Sequence, residues 1–179
     1  MNDDLRIIQK VLGGDVDAFR LLVERYQGPL FALVGNLVRD RGDGDDIAQE
    51  TFLAAYLHLG AYDPRQGKFS TWLLTIARNK CLNGFKKRKP LVLETLPPRI
   101  DPRSPADGLI EAELFSQLDR ALAALPFEQR SAFVLSELQG LSHEEICQIE
   151  AAPLGTIKSR ISRAKEKLRS LLPRASEQR

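Results

Sequence analysis

Apolar residues recur along most of this chain at intervals of three and four, the spacing that lines one face of an α-helix, with no sustained alternation of the strand type. The pattern predicts helices over Leu5–Leu12, Asp15–Arg39 with a bend or break at Gly28-Pro29, Asp43–Leu59 and Ser70–Lys87. A second set follows over Ala106–Leu125, Phe127–Gln139, Ser142–Glu150 and Pro153–Leu172. Between the sets, five of the ten prolines fall from Pro90 to Pro105. Lost backbone donors and the restricted residue before each proline preclude a continuous helix there, although the short LVL segment at 91–93 reads either way. The expected architecture is all-α: two small helical domains, residues 1–89 and 107–179, joined by a flexible linker at 90–106. With 179 residues and 43% apolar composition, each half is near the lower comfortable size for independent folding.

A net charge of +2 hides segregation. Arg78 to Lys89 contains six basic residues and no acid, and Lys158 to Arg174 contains seven against Glu166 alone. Asp40 to Glu50 is the reverse, with five acids against Arg41. The basic blocks suit a polyanion; the acidic block needs another kind of partner. Cys81 and Cys147 stand far apart and outside any metal-ligand spacing, so neither a disulfide framework nor a zinc site is indicated, and a reducing cytoplasm fits. The first ten residues lack the order of a signal peptide, and no apolar run has the length of a membrane span.

Ser142 followed by Glu145 is a capping box, so a helix starts there and runs to about Glu150. After Ala151-Ala152, Pro153 suits the first turn of a new helix, where its missing amide costs nothing. On a helical wheel Ile157, Ile161, Ala164, Leu168, Leu171 and Leu172 gather on the side expected to pack inward. Opposite them stand Ser159, Ser162, Arg163, Glu166 and Ser170, flanked by Lys158, Arg160, Lys165, Lys167 and Arg169. Such a face fits a major groove, with arginine or lysine on guanine edges and the remaining cations on phosphates. A basic helix alone would read as a solvated face; the short capped helix and tight turn before it favour a helix-turn-helix.

In GKFSTWLLTIARNKCLNGFKKRK a helix should be capped at Ser70. Leu73, Leu74, Ile76, Ala77, Cys81 and Phe85 spread over one broad side, leaving Trp72, Thr75, Arg78, Asn79, Asn83 and Lys86 on the other. Asparagine can satisfy a base edge, and tryptophan offers a stacking surface for an unpaired base. A lone tryptophan is otherwise a core or interface residue. In DGDDIAQETFLAAYLHL, Ala48, Phe52, Ala55 and Leu59 share one side of a helix, whereas Asp46, Gln49, Glu50, Leu53 and Leu57 share another. Acids interleaved with leucines suit docking on a basic protein surface; the plainer alternative puts Leu53 and Leu57 in the core.

DAFRLLVERY, DDIAQETFLAAY, FSTWLLTIARN, LPFEQRSAFVLSELQGLSHEEI and PLGTIKSRISRAKEKLR, in this order and spacing, resemble the extracytoplasmic-function (ECF) group of bacterial RNA polymerase sigma factors. The resemblance covers nearly the whole chain outside the linker. It implies a non-enzymatic transcription initiation factor built of sigma regions two and four, with core RNA polymerase, promoter DNA and a cognate anti-sigma factor as partners and no cofactor or metal. It further implies that Asp46, Gln49, Glu50 and Leu53 engage the polymerase. Lys68, Phe69, Ser70, Thr71, Trp72, Thr75, Arg78, Asn79, Asn83 and Lys86 would serve the minus-ten element. Thr156, Lys158, Ser159, Arg160, Ser162 and Arg163 would serve the minus-thirty-five element, with His143 and Glu144 near the DNA backbone.

One departure stands out: the family usually has an apolar residue and then a turn former where this chain has Glu150-Ala151. A carboxylate there must find a cation or lose packing. Three other functional classes compete with a sigma factor. A self-sufficient helix-turn-helix regulator would bind duplex sites tightly without polymerase. An interaction-only adaptor would leave the basic faces unused. A small metal-dependent enzyme would rest on Asp45, Asp46 and Glu50, but no histidine accompanies them and no phosphate loop or nucleophile motif is present.

Overall fold

The computed structural model describes residues 3–38, 41–87 and 108–172, and the linker expected at 90–106 lies outside them, as does the LVL segment at 91–93. The described residues form eight α-helices, with no strand among them: α1 (Asp3–Leu12), α2 (Phe19–Leu37), α3 (Arg41–Leu57), α4 (Phe69–Lys87), α5 (Gly108–Ala123), α6 (Phe127–Phe133), α7 (His143–Glu150) and α8 (Leu154–Leu171). The all-α expectation is met.

In the first half, α1 contributes Ile7, Ile8 and Val11 to a core shared with Leu22, Leu30, Leu33 and Val34 of α2. Asp4 is buried with them and is held by Arg25 and by the Tyr26 hydroxyl, which donates to it. Asp15 caps a single 3₁₀ turn at Val16–Ala18, accepting from the Ala18 amide at 3.2 Å, so α2 begins four residues after the predicted start. Of the bend or break expected at Gly28-Pro29, the break does not occur: Pro29 lies inside α2, which runs on to Leu37. Helix α3 turns Ala48, Phe52 and Ala55 inward and ends in a 3₁₀ turn at Leu59–Ala61 rather than reaching Leu59 as α-helix. Phe69 starts α4, and the Trp72 amide donates to the Lys68 carbonyl; Ser70 is therefore an internal residue of the first turn and not the predicted cap.

In the second half, α6 is followed by a π-helical turn at Val134–Leu138, closed by the Gln139 amide on the Val134 carbonyl at 3.0 Å, where a continuous α-helix to Gln139 was expected. Gly140, at φ 66°, then reverses the chain, which glycine does without steric cost, and the Leu141 amide returns to the Leu135 carbonyl. The capping box forms as predicted: Ser142 Oγ accepts from the Glu145 amide at 3.2 Å and Glu145 Oε2 accepts from the Ser142 amide at 3.0 Å. Pro153 is the residue that caps α8 rather than a member of its first turn. Ile157, Ile161, Ala164 and Leu168 are buried as expected and Leu172 packs on the Ala121, Leu122 and Leu125 cluster, but Leu171 is 42% exposed.

The two halves share one apolar cluster. It includes Phe69, Leu73, Ala77 and Cys81 from the first half, and Phe127, Val134, Ile146, Ile149 and Ile157 from the second. A smaller cluster of Ala121, Leu122, Leu125, Ala164 and Leu168 ties α5 to α8. Polar contacts also cross: Arg130 donates to the Leu37 carbonyl, Lys68 pairs with Glu145 at 2.9 Å, and Arg78 pairs with Glu150 at 3.2 Å.

Candidate nucleic-acid interface

Three faces carry the candidate residues. On α8, Lys158, Ser159, Ser162 and Arg163 are exposed in one continuous row, flanked by Lys167 and Arg169. The side is available because Ile157, Ile161, Ala164 and Leu168 take the opposite face into the core. Thr156 is half-buried and its carbonyl accepts from Ser159 Oγ at 3.0 Å. Arg160 points back, donating to Glu150 at 2.7 Å, and Lys165 is drawn to Glu137 at 2.9 Å. His143 is half-buried at the start of α7 and Glu144 beside it is exposed.

On α4 the candidates separate sharply. Asn79, Asn83 and Lys86 are exposed, Ser70, Trp72 and Thr75 are half-buried, and Lys68 is exposed but paired with Glu145. Phe69 is wholly enclosed and Thr71 is 5% exposed, which corrects their placement among DNA-facing residues. The reason is the register of α4: a helix begun at Phe69 turns that ring into the bundle, within 6 Å of Tyr26, Tyr62 and Trp72, with centroid separations of 5.4, 5.6 and 5.7 Å. Trp72 also meets Tyr62 at 5.6 Å, so one part of its ring closes the aromatic cluster while the rest stays open. Thr75 Oγ1 bonds back to the Thr71 carbonyl at 2.8 Å.

Arg78 likewise leaves the exposed set, at 7% exposure. Its Nη2 lies 3.2 Å from Glu150 Oε2, its Nη1 lies 3.4 Å from Asn79 Oδ1, and its guanidinium sits 5.4 Å from the centre of the Phe127 ring. Glu150 is 7% exposed and satisfied by Arg78, by Arg160 and by the Ser131 hydroxyl, which donates to its other oxygen. The cation demanded by a carboxylate at this turn is thus supplied twice. Ala151 follows at φ 48°, ψ 45°, the left-handed conformation usually given to glycine. For an alanine it costs on the order of 1–2 kcal/mol, which the surrounding packing offsets.

On α3 the acids and leucines face outward. Asp46 and Gln49 are exposed, Leu53 is 58% and Leu57 66% exposed, and Glu50 pairs with Lys80 of α4 at 2.9 Å. The alternative that buries Leu53 and Leu57 in the core does not hold. Val16, Phe19, Val23, Phe52 and Tyr56 continue the apolar surface as a shallow groove beside Leu53. Among the described residues no cluster of three metal-ligating side chains exists, and no helix is long and apolar enough to cross a membrane.

Sequence reasoning missed Arg130 and Phe85. Arg130 stands among Glu128, Gln129 and Ser131 and so reads as one more solvated polar residue, yet it is buried against three carbonyls. Phe85, assigned to the inner side of α4, is 46% exposed and meets Phe127 at 5.6 Å.

An all-helical chain with a capped helix-turn-helix at one end and an acidic, leucine-bearing helix at the other has the layout of a sigma-70-type factor. Residues 22–90 match the family described as Sigma-70 region 2, and residues 115–168 match Sigma-70, region 4. The chain is 34% identical over 177 residues to the ECF RNA polymerase sigma factor SigW of Bacillus subtilis, covering 92% of this chain and 94% of that one. It is 35% identical over 175 residues to the ECF RNA polymerase sigma-E factor of Escherichia coli, covering 91% of each. Two solved structures share the fold at TM-score 0.72 and 25% identity. One is CnrH in complex with the cytosolic domain of CnrY, covering 95% of this chain and 97% of that one. The other is the sigma factor RpoE in complex with the anti-sigma factor NepR from Bartonella quintana, covering 86% and 95%. The chain belongs to the ECF group of RNA polymerase sigma factors, which direct promoter-specific transcription initiation.

Proposed function

We propose that this sigma factor divides its work between residues 1–89 and 107–179, acting in the cytoplasm without catalysis of its own. Helix α8 enters the major groove of the minus-thirty-five element, with Lys158, Ser159, Ser162 and Arg163 on bases or phosphates and His143 and Glu144 beside the backbone. Helix α4 captures unpaired bases of the minus-ten element through Asn79, Asn83, Lys86 and the open part of Trp72, and stacking offsets the cost of unpairing. Asp46, Gln49, Glu50 and Leu53 dock on a basic surface of the polymerase, and a cognate anti-sigma factor competes for the faces so used. Support comes from one observation above all: each family-matched segment has its own exposed cation-bearing helix face, and the acid-and-leucine face of α3 is separate from both.

Run-off transcription with purified core polymerase tests the reading. Core alone should give no specific transcript, and core with this protein should start at a restricted promoter set. Tight site-specific duplex binding by the protein alone, with no transcript in the reconstituted reaction, would favour a self-sufficient regulator instead.

A further inference from the structure

We propose that Glu150 is a built-in anion that closes the chain on itself: a single carboxylate in the helix-turn-helix turn occupies Arg78 of α4 and Arg160 of α8 together, withholding both from promoter DNA. The proposal rests on the reading that α4 and α8 face DNA and adds to it a regulated, closed form.

The geometry is specific. Glu150 Oε2 lies 3.2 Å from Arg78 Nη2 and 2.7 Å from Arg160 Nη1, while Oε1 accepts from Ser131. The Glu150 side chain is 0% exposed and that of Arg78 is 9% exposed, so the pair is shielded from solvent and salt. Contacts on either side hold α6 and α7 against α4 and the residues before it. Lys68 pairs with Glu145, Gly67 approaches Gln148 so closely that an added Cβ would lie 2.9 Å from its Oε1, and Phe85 meets Phe127 of α6. Arg78 Nε is buried without a hydrogen-bond partner, so this arginine is covered rather than optimally bound.

Guanidinium groups take carboxylate and phosphate oxygens through the same planar fork. Glu150 therefore competes directly with DNA phosphates for Arg78 and Arg160. Separating the halves rehydrates both ions of the cross-half pair, so the pair adds little net stability and serves chiefly to fix one register, as a reversible latch must. Deleting one charge is different. With Glu150 gone, closure would bury Arg78 with no counter-ion, and the open form becomes the better solution.

The test uses the full chain. Small-angle scattering of the free wild-type protein should give a radius of gyration near the roughly 16 Å of a compact chain of this length. Glu150→Gln should shift it upward by several ångström with far-UV circular dichroism unchanged. Arg78→Gln, which leaves the helix-turn-helix turn and its Glu150–Arg160 pair intact, should shift it in the same direction by less. Wild-type scattering from both folded variants would overturn the latch. If Glu150→Gln fails to fold, Arg78→Gln decides alone. These measurements involve no promoter, so they stand apart from the functional reading. In run-off transcription at limiting core polymerase, Glu150→Gln should raise specific initiation several-fold, a gain that misfolding cannot produce. Expansion without that gain would overturn the inhibitory role.

Discussion

Arg130 Nη1 donates to the Leu37 carbonyl at 3.1 Å, so an arginine of α6 finishes the C-terminal end of α2, a helix ninety-three residues earlier. Its Nη2 is shared between the carbonyls of Ala123 and Leu125, both at 3.2 Å, and the side chain is almost wholly buried. A cation at a helix C-terminus also meets the favourable end of the macrodipole. Arg130→Met should cost about 3 kcal/mol, since a charged donor is lost and buried carbonyls are left short. The urea midpoint checks this, and Arg130→Lys should recover only part of the loss because an ammonium cannot span the three acceptors.

Asp46→Arg combined with Glu50→Arg should weaken association with core polymerase by at least about tenfold, some 1.4 kcal/mol, while leaving the melting temperature nearly unchanged. Both side chains are exposed, and the Glu50–Lys80 pair that is sacrificed contributes at most about 1 kcal/mol. A pull-down in which the double variant binds like wild type would remove α3 from the docking surface.

Asn79→Ala and Arg163→Ala remove exposed groups from α4 and α8, and neither takes apolar packing away. Each should lower promoter-specific initiation by about tenfold to a hundredfold, the range of one lost base contact, with polymerase binding retained. Equal loss of polymerase binding in the two variants would contradict the division of labour between the faces.

Glu145 sits under two influences, the Lys68 ammonium and the Ser142 amide, which together hold its carboxyl below the usual 4.5. A depressed folded value means stability that is present above about pH 4.5 and disappears as the pH falls through the lower folded value. Melting curves recorded from about pH 6 to about pH 3 should therefore decline more steeply for wild type than for Glu145→Gln. Parallel curves would show that the bridge and cap carry no acid sensitivity.

The Cys81 thiol is pushed up to about 12, chiefly by burial. It stays protonated at neutral pH and should resist iodoacetamide in the folded protein, then react fully in guanidinium. Mass spectrometry of the alkylated peptides would reveal any native modification at that position.

The helices were legible because their signals are local: the capping box at Ser142 and Glu145, the apolar stripe of Ile157, Ile161, Ala164 and Leu168, and the proline-rich break all lie within a few residues of what they determine. The exposed rows on α3 and α8 followed from the same periodicity. What stayed hidden depends on partners distant in sequence. Nothing near Arg78 announces that Glu150 will cover it, and nothing near Arg130 announces Leu37. The family resemblance supplied roles for α4, yet Phe69 and Thr71 stand one helical turn before Leu73 and Leu74 and so share their inward face. At Glu150 the sequence posed the right question, where a cation would come from, and the fold answered with one from each half.

The apolar cluster passes from Leu73 and Cys81 through Phe127 and Ile146 to Ile157, so it belongs to both family-matched segments at once. In the closed form such a core should melt as one cooperative unit, and parting the segments should uncouple them. Calorimetry should then give a single transition for the closed chain and two smaller ones for the opened chain, so that heat capacity itself would report whether the factor is shut.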